Sequence, residues 1–591
     1  MVLLMDLTTK RSVAHSTKRL LACCALLLGL TGCVSESNSK PDDVLPEIEL
    51  PAELERSQGF GALPAIPLAD STFEGDHFSG SGACGVCHNG MIDDEGEDVS
   101  IETAWQTSVM AQSARDPYWR AVAAATLHRF PELSHEVNQV CTRCHAPMAN
   151  DAALKDGVEL EMFGDTPFLS DNKYFDHAMD GVSCALCHQI DDNGTLGTEA
   201  GNSGNFSIVE FDADEKENRP AYGQYVDPIG AYMIVNSNFT PVYGAHMSDS
   251  AVCATCHDLK THKLDADGQP IDGPLEAGFQ EQQTYSEWEN SDYRDSGPLA
   301  ASCQACHMPK IDTTVTLASS GTDIRRSGFS EHTFLGANTV MLDMFENYKD
   351  FLGIQADGFP QAIERNREFL KTAADLEIIG TRSEQDAFVV TLQITNNTGH
   401  KLPSGYPSRR VFVQLAVTDD NGSVIFESGK INDDGSIVGA DGDRDFNKVE
   451  PHYNSVINEN QVLIYEAIMA NASGETTHSL VEGIRYLKDN RLTPKGFKKA
   501  SADNDIAVVG RAANDGNFDD GTDLFEYRIP VSQGGTYQVI ANLIYQPLAY
   551  GHLEHLFRDT IVPEVDQFKT IYDNTELKTE TISTATSQHV Q

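Results

Sequence analysis

The chain has 591 residues, with 42 Lys and Arg against 89 Asp and Glu, a formal net charge of −47. That length exceeds one compact core and predicts two or more domains. A polyanion of this kind repels phosphates, which excludes nucleic acid as a partner and leaves solubility or docking to a basic partner as the uses of the charge.

At the N-terminus, Lys18 and Arg19 precede the apolar run LLACCALLLGL, which ends in Leu30-Thr31-Gly32-Cys33 and is too short for a permanent membrane span. Residues 1–33 resemble a bacterial lipoprotein signal. The resemblance implies cleavage before Cys33 and lipidation of that cysteine, and an ordinary secretory signal cut near Gly32 is the alternative. Val34 stands where the resembling lipoproteins place aspartate for inner-membrane retention, so the expectation is an exported, membrane-anchored envelope lipoprotein, in the outer membrane with a periplasmic or surface face. Loss of residues 1–32 removes four of the 42 cations and one of the 89 acids, leaving 38 against 88 and a charge of −50. Residues 34–75 are rich in Pro, Ser and acid without period, which predicts a flexible acidic tether.

Between 76 and 345 one pattern recurs five times: CGVCH (Cys84, Cys87, His88), CTRCH (Cys141, Cys144, His145), CALCH (Cys184, Cys187, His188), CATCH (Cys253, Cys256, His257) and CQACH (Cys303, Cys306, His307). Zinc sites join Cys-x-x-Cys pairs two by two, so five pairs leave one unmatched, and no zinc site needs a histidine fused to each pair. A redox dithiol appears once, beside a βαβ pattern. Covalent haem needs this order, because two thiols bond one porphyrin edge and the next residue reaches the iron. The motifs therefore predict five c-type haems, with the five motif histidines as proximal iron ligands. The remaining cysteines, Cys23, Cys24 and Cys33, lie at the N-terminus, so no mature cysteine is left for a disulfide.

The first cysteines are 57, 43, 69 and 50 residues apart, so the motifs are not a true repeat. Roughly 45 residues per site is far below what a protein-only core requires, and the porphyrins must supply the core. Turn formers such as GTLGTEAGNSGN and short helical stretches predict mostly helix and loop there.

Residues 346–379 read as a helical linker. From 380 to 556, DAFVVTLQIT, LFEYRI and TYQVIANLIYQPL alternate apolar and polar positions, and VFVQLAVTDDNGSVIFESG places two apolar runs around Asn421-Gly422, a hairpin signal. These predict a β-sandwich. Residues 557–591 read as a polar, loose tail. The expected architecture is multidomain: a mostly α and loop multihaem cytochrome domain followed by a β-sandwich.

SGACGVCH, DGVSCALCH, SAVCATCH and SCQACHMP, with the later TGHKLPSGYPSRR, resemble exported multihaem c-type cytochromes of the cytochrome c-554/c-prime group with an appended C-terminal β-domain. The resemblance implies electron carriage and a second histidine on each iron. His177 and His246, each seven residues before a motif cysteine, and His332 in SEHTFLGAN are the first candidates. His128 and His135 compete for a fourth site. Met110 and His400 compete for the fifth, and a methionine there would raise its potential. His77 and His262 read as surface residues.

Arg409 and Arg410 suit either salt bridges within the β-domain or haem propionates. ADGDRDFNKVE spaces Asp441, Asp443, Asp445 and Asn447 like a calcium loop but has Phe446 where glycine is needed, so it reads as a solvated acidic loop. Three functions follow: an electron-transfer lipoprotein serving redox partner proteins, a reductase of a nitrogen or sulfur oxyanion at one open haem, or a conduit or filament subunit. A pentahaem nitrite reductase is a poor match, because its catalytic haem takes lysine where every motif here ends in histidine.

Overall fold

The computed structural model describes residues 63–164, 168–211, 215–271, 278–531 and 535–590. The signal, Cys33 and the first part of the expected tether lie outside them. The N-terminal part is built of short helices and loops. Its helices include α1 (Ser81–His88), α2 (Pro117–Arg129), α3 (Thr142–His145), α4 (Cys184–Cys187), α5 (Ala231–Ser237), α6 (Ala251–His257) and α7 (Cys303–His307). Three two-stranded pieces brace it: β1 (Arg219–Gly223) with β2 (Phe239–Tyr243), β3 (Asp258–Thr261) with β4 (Phe279–Gln283), and β5 (Thr314–Thr316) with β6 (Arg325–Ser327).

The expected tether is not loose throughout. Ile66 donates its N–H to the Phe351 carbonyl at 2.9 Å and Gly82 donates to the Ser71 carbonyl at 2.8 Å. Ile66 also packs among buried apolar residues, which pins a Pro-containing strand of chain that composition alone marks as free.

Two helices, α8 (Thr339–Tyr348) and α9 (Phe359–Lys371), lead into a β-rich part. Strand β7 (Ala374–Ser383) starts inside the expected helical linker, because Ala374 and Leu376 already alternate into the core. It pairs with β8 (Ala387–Asn396). The second sheet is built on β9 (Arg410–Thr418), with β10 (Val424–Ser428) beyond the Asn421-Gly422 turn. Gly422 has φ +78°, the left-handed conformation such a turn favours. Strands β11 (Ser455–Val456), β12 (Ile464–Ala470), β13 (Thr476–Thr477), β14 (Arg485–Asp489), β15 (Thr522–Pro530), β16 (Thr536–Gln546) and β17 (Glu580–Val590) complete two sheets.

One sheet has the order β11-β15-β8-β7; the other runs β13-β12-β9-β16-β17, with β10 on β9 and β14 on β12. Val390, Leu392 and Ile394 of the first and Val413, Leu415, Val417, Val539 and Leu543 of the second share one buried core. Along β8 the inward residues alternate with Thr391 and Gln393 at period two.

The expected polar tail is corrected by the structure. Helices α10 (Tyr550–Leu556) and α11 (Pro563–Asn574) precede β17, which pairs antiparallel along most of β16. Val565, Phe568 and Ile571 of α11 bury against Ala121 and Ala125 of α2 and Phe345 of α8. The strand was hidden because ETISTATSQHV is mostly polar, with Ile582 buried; its β-branched threonines supply the propensity without apolar character. The C-terminal segment thus closes the edge of β16 and covers the motif-bearing part.

Candidate haem-binding sites

Each motif lies on or at the end of a short helix, so its two cysteines, three apart, sit one turn apart on the same side with the histidine next to them. All ten thiols are free. Four motif histidines are held alike: Nδ1 of His88 donates to the Leu317 carbonyl at 2.8 Å, His145 to Ser113 at 3.2 Å, His188 to Tyr222 at 2.5 Å and His307 to Leu335 at 2.6 Å. A carbonyl only accepts, so Nδ1 carries the hydrogen and Nε2 keeps its lone pair for a metal. Burial also disfavours the imidazolium, pulling His145 and His257 down to about 4.

Two of these rings have a histidine opposite. The His188 and His332 ring centres are 6.3 Å apart with planes 22° from parallel, and those of His307 and His400 are 6.2 Å apart at 15°. A metal–nitrogen bond of about 2 Å on each side, plus roughly 1 Å from nitrogen to ring centre, separates two trans imidazoles by about 6 Å. Both pairs therefore leave room for one iron. His332 and His400 also donate Nδ1 to carbonyls, of Ser330 at 3.0 Å and Lys401 at 2.8 Å, so all four rings have the tautomer that frees Nε2. The donor set and the spacing fit a six-coordinate haem iron.

The other candidates are placed differently. His246 is buried with Nε2 on the Ile190 carbonyl at 2.9 Å, leaving Nδ1, and its ring meets Tyr222 edge-on. His177 lies 4.2 Å from the Phe73 ring with Nδ1 buried and unpartnered, and burial lowers it to about 4. Sequence reading offered His128 or His135 as a fourth distal ligand, and the structure places both at the surface. His128 is exposed at the end of α2, and His135, 62% exposed, pairs with Glu159 at 3.2 Å. Of the two residues considered for the fifth site, His400 stands opposite His307, whereas Met110 is half-buried with its carbonyl accepting from Val182. His262 pairs with Glu136, and His77 is half-buried, its carbonyl taken by Gln189.

His400 sits in a rigid loop. Asn396 Nδ2 and Thr398 Oγ1 donate to its carbonyl at 3.0 and 2.7 Å. The next residue, Lys401, is fully buried, with Nζ 2.7 Å from Asp489 and its N–H on Glu287 at 3.1 Å. Arg491 closes the network to Glu287 at 3.0 Å and Asp489 at 2.8 Å. Sequence reading missed this two-cation, two-anion cluster, whose members are scattered from 287 to 491.

The attachment edges approach one another. Cys84 lies within hydrogen-bonding reach of Cys184, Cys253 of Cys303, and Cys144 of Cys256. Arg410 is committed to the β-domain, bidentate on Asp443 at 2.7 and 2.8 Å. That contact occupies the central carboxylate of the calcium-like loop. Arg409 instead donates to the Ser404 carbonyl at 2.8 Å.

One further group has metal-ligand character: His452, Asp515 and Asp523, all buried with their ligating atoms within 4.8 Å. Asn490 Nδ2 faces His452 Nδ1 at 3.0 Å, and its amide is fixed by Glu466 N–H donating to Oδ1 and by its own donation to Ile464. Nδ1 must therefore accept, and Nε2 carries the hydrogen toward Asp515 at 3.1 Å. His452 therefore has no lone pair left for a metal.

No protein-family model matches the chain, and no curated protein matches it. Among solved structures it is similar to a penta-haem cytochrome c552 from Thermochromatium tepidum, at 15% identity and a TM-score of 0.48, over 87% of this chain and 100% of that one.

Proposed function

We propose that the chain is an electron-transfer protein holding five c-type haems, attached through the ten motif thiols and ligated by His88, His145, His188, His257 and His307. The observation that carries this reading is the pair of opposed histidines, His188 with His332 and His307 with His400, spaced for one iron and each tied by Nδ1 to a backbone carbonyl. A c-type haem at each motif would supply a one-electron iron couple. The chain's own contribution is to fix each imidazole and to set the attachment edges side by side. Thiol proximity links the first motif with the third, the fourth with the fifth and the second with the fourth. Anchoring through a lipid on Cys33 and exchange with redox partner proteins in the cell envelope belong to the same proposal.

Intact mass of the exported protein tests the loading: the mature chain plus lipid should be exceeded by five haem masses. Zinc, or fewer haems from a host competent in maturation, refutes it. One observation favours a second reading, small-molecule reduction at the second motif. His145 stacks flat on Trp119, 4.4 Å away at 4°, and His128 and His135, the candidates for a fourth distal site, face solvent. Paramagnetic resonance of the oxidised protein, with carbon monoxide added after reduction, separates the two. Five low-spin irons that refuse carbon monoxide support pure electron carriage; rapid binding at one supports the reductase.

A further inference from the structure

We propose that the surface around Cys87 is the docking face for a basic electron-exchanging protein; this rests on the electron-transfer reading and names where exchange occurs. In the first motif Cys84 lies beside Cys184 of the third. Cys87 lies on the outer side, with its carbonyl accepting from Ser319 N–H at 2.8 Å and its sulfur 3.9 Å from Ser320 Oγ.

Ser319 and Ser320 belong to the tip of the β5–β6 hairpin. That tip also packs on α5, where a Cβ on Gly321 would meet the Tyr232 ring at 2.5 Å. Arg326 ties the hairpin to Asp227 at 2.7 Å and Arg325 ties it to Asp94 at 2.6 Å. These contacts make one continuous face of Cys87, the hairpin tip and residues 226–235. On it large apolar side chains point outward: Val235 is 80% exposed, Val86 75%, Val226 74% and Ile324 51%, with Tyr232 and Ile229 beside them. Val226, Ile229, Tyr232 and Val235 recur every third residue, and α5 buries none of its side chains. A soluble surface does not gather apolar groups this way without a use.

The rim selects the occupant. Segments 86–98, 226–235 and 317–328 carry seven carboxylates against Arg325 and Arg326, five of the seven in the loop Asp93-Asp94-Glu95-Gly96-Glu97-Asp98. An apolar centre with an acidic rim repels a second copy of this acidic chain and an anionic lipid surface, and it complements a partner with an apolar centre and a basic rim.

The test uses the haem-loaded full-length protein, reduced with dithionite and mixed by stopped flow with oxidised mitochondrial cytochrome c, a basic one-haem carrier, at low salt. Val235→Lys and the rim pair Glu95→Lys/Glu97→Lys should each slow the second-order reaction by about 10-fold, and the rim pair should flatten its salt dependence. Glu377→Lys, exposed on β7, should leave the rate unchanged. Equal rates in loaded wild type and all variants overturn the docking proposal and leave the electron-transfer reading standing. Sedimentation showing a wild-type dimer that Val235→Lys dissociates also overturns it, making a second copy the occupant. A wild-type chain that exports without covalent haem overturns both.

Discussion

Replacing Glu287 by glutamine removes one charge from the network behind His400 while keeping shape. Glu287 is wholly buried, accepts from Ser404 Oγ at 2.6 Å and from the Lys401 N–H, and faces Arg491. The native cluster balances Lys401 and Arg491 against Glu287 and Asp489. Glu287→Gln leaves two buried cations facing one anion, and an uncompensated buried charge costs about 3–5 kcal/mol. That is a large part of the ~5–15 kcal/mol that holds a domain. Urea unfolding followed by circular dichroism should show a loss of this size, and the signal of one low-spin haem should broaden or turn high-spin as His400 loosens. Adding Lys401→Met restores one cation to one anion and should recover more than half the loss, a coupling that a local packing defect does not produce. A cost under about 1 kcal/mol with an unchanged spectrum would refute the idea that this network positions His400.

Four other outcomes are expected. Cys33→Ser should release haem-loaded protein into the soluble fraction, and retention on membranes in high salt would refute the lipid anchor. His332→Ala should convert one haem to high-spin while His135→Ala leaves the spectrum untouched; the reverse pattern would refute the assignment. Deleting residues 579–591 strips β17 from β16, so urea midpoints should fall and the uncovered edge should promote aggregation, read by light scattering. Burial pushes the Asp523 carboxyl up to about 7 from an ordinary 3.8. A raised carboxyl contributes its stability below the unfolded value and loses it as pH rises toward 7. Relative to Asp523→Asn, the wild type should thus weaken between pH 4 and 7 by at most ~1.4 kcal/mol per unit, and parallel urea curves across that window would refute this.

Five Cys-x-x-Cys-His motifs were legible in the chain because their chemistry is local: two thiols and an imidazole must fall within one helical turn. The hairpin at Asn421-Gly422 and the alternation of Phe388, Val390, Leu392 and Ile394 were legible for the same reason, each rule spanning a few residues. Strand β17 was not, since its signal is β-branching in a polar run, and its partner β16 is what makes it a strand. Proximity in sequence to a motif says nothing about the direction a helix faces, and both His128, at the end of α2, and His135 point outward.

In the proposed ligation, His332 and His400 would supply the second axial position at two motifs. They lie 144 and 93 residues beyond the motif histidines they oppose, so spacing rules give no access to the pairing. Their neighbours do supply a physical criterion. Each stands in irregular chain, where a ring can be aimed freely, and each is locked by donating Nδ1 to a carbonyl within two residues. Four of the motif histidines take their carbonyls instead from distant segments, 28 to 229 residues away. Proximal rings are therefore aimed by tertiary structure and these two distal rings by their own turn. Exchanging Lys401 for proline would strain the turn that presents its carbonyl to His400, whereas no single substitution beside His307 removes the Leu335 carbonyl. In that ligation the distal side would be the more readily tuned position, with the loop in the β-rich part fixing how firmly His400 is held.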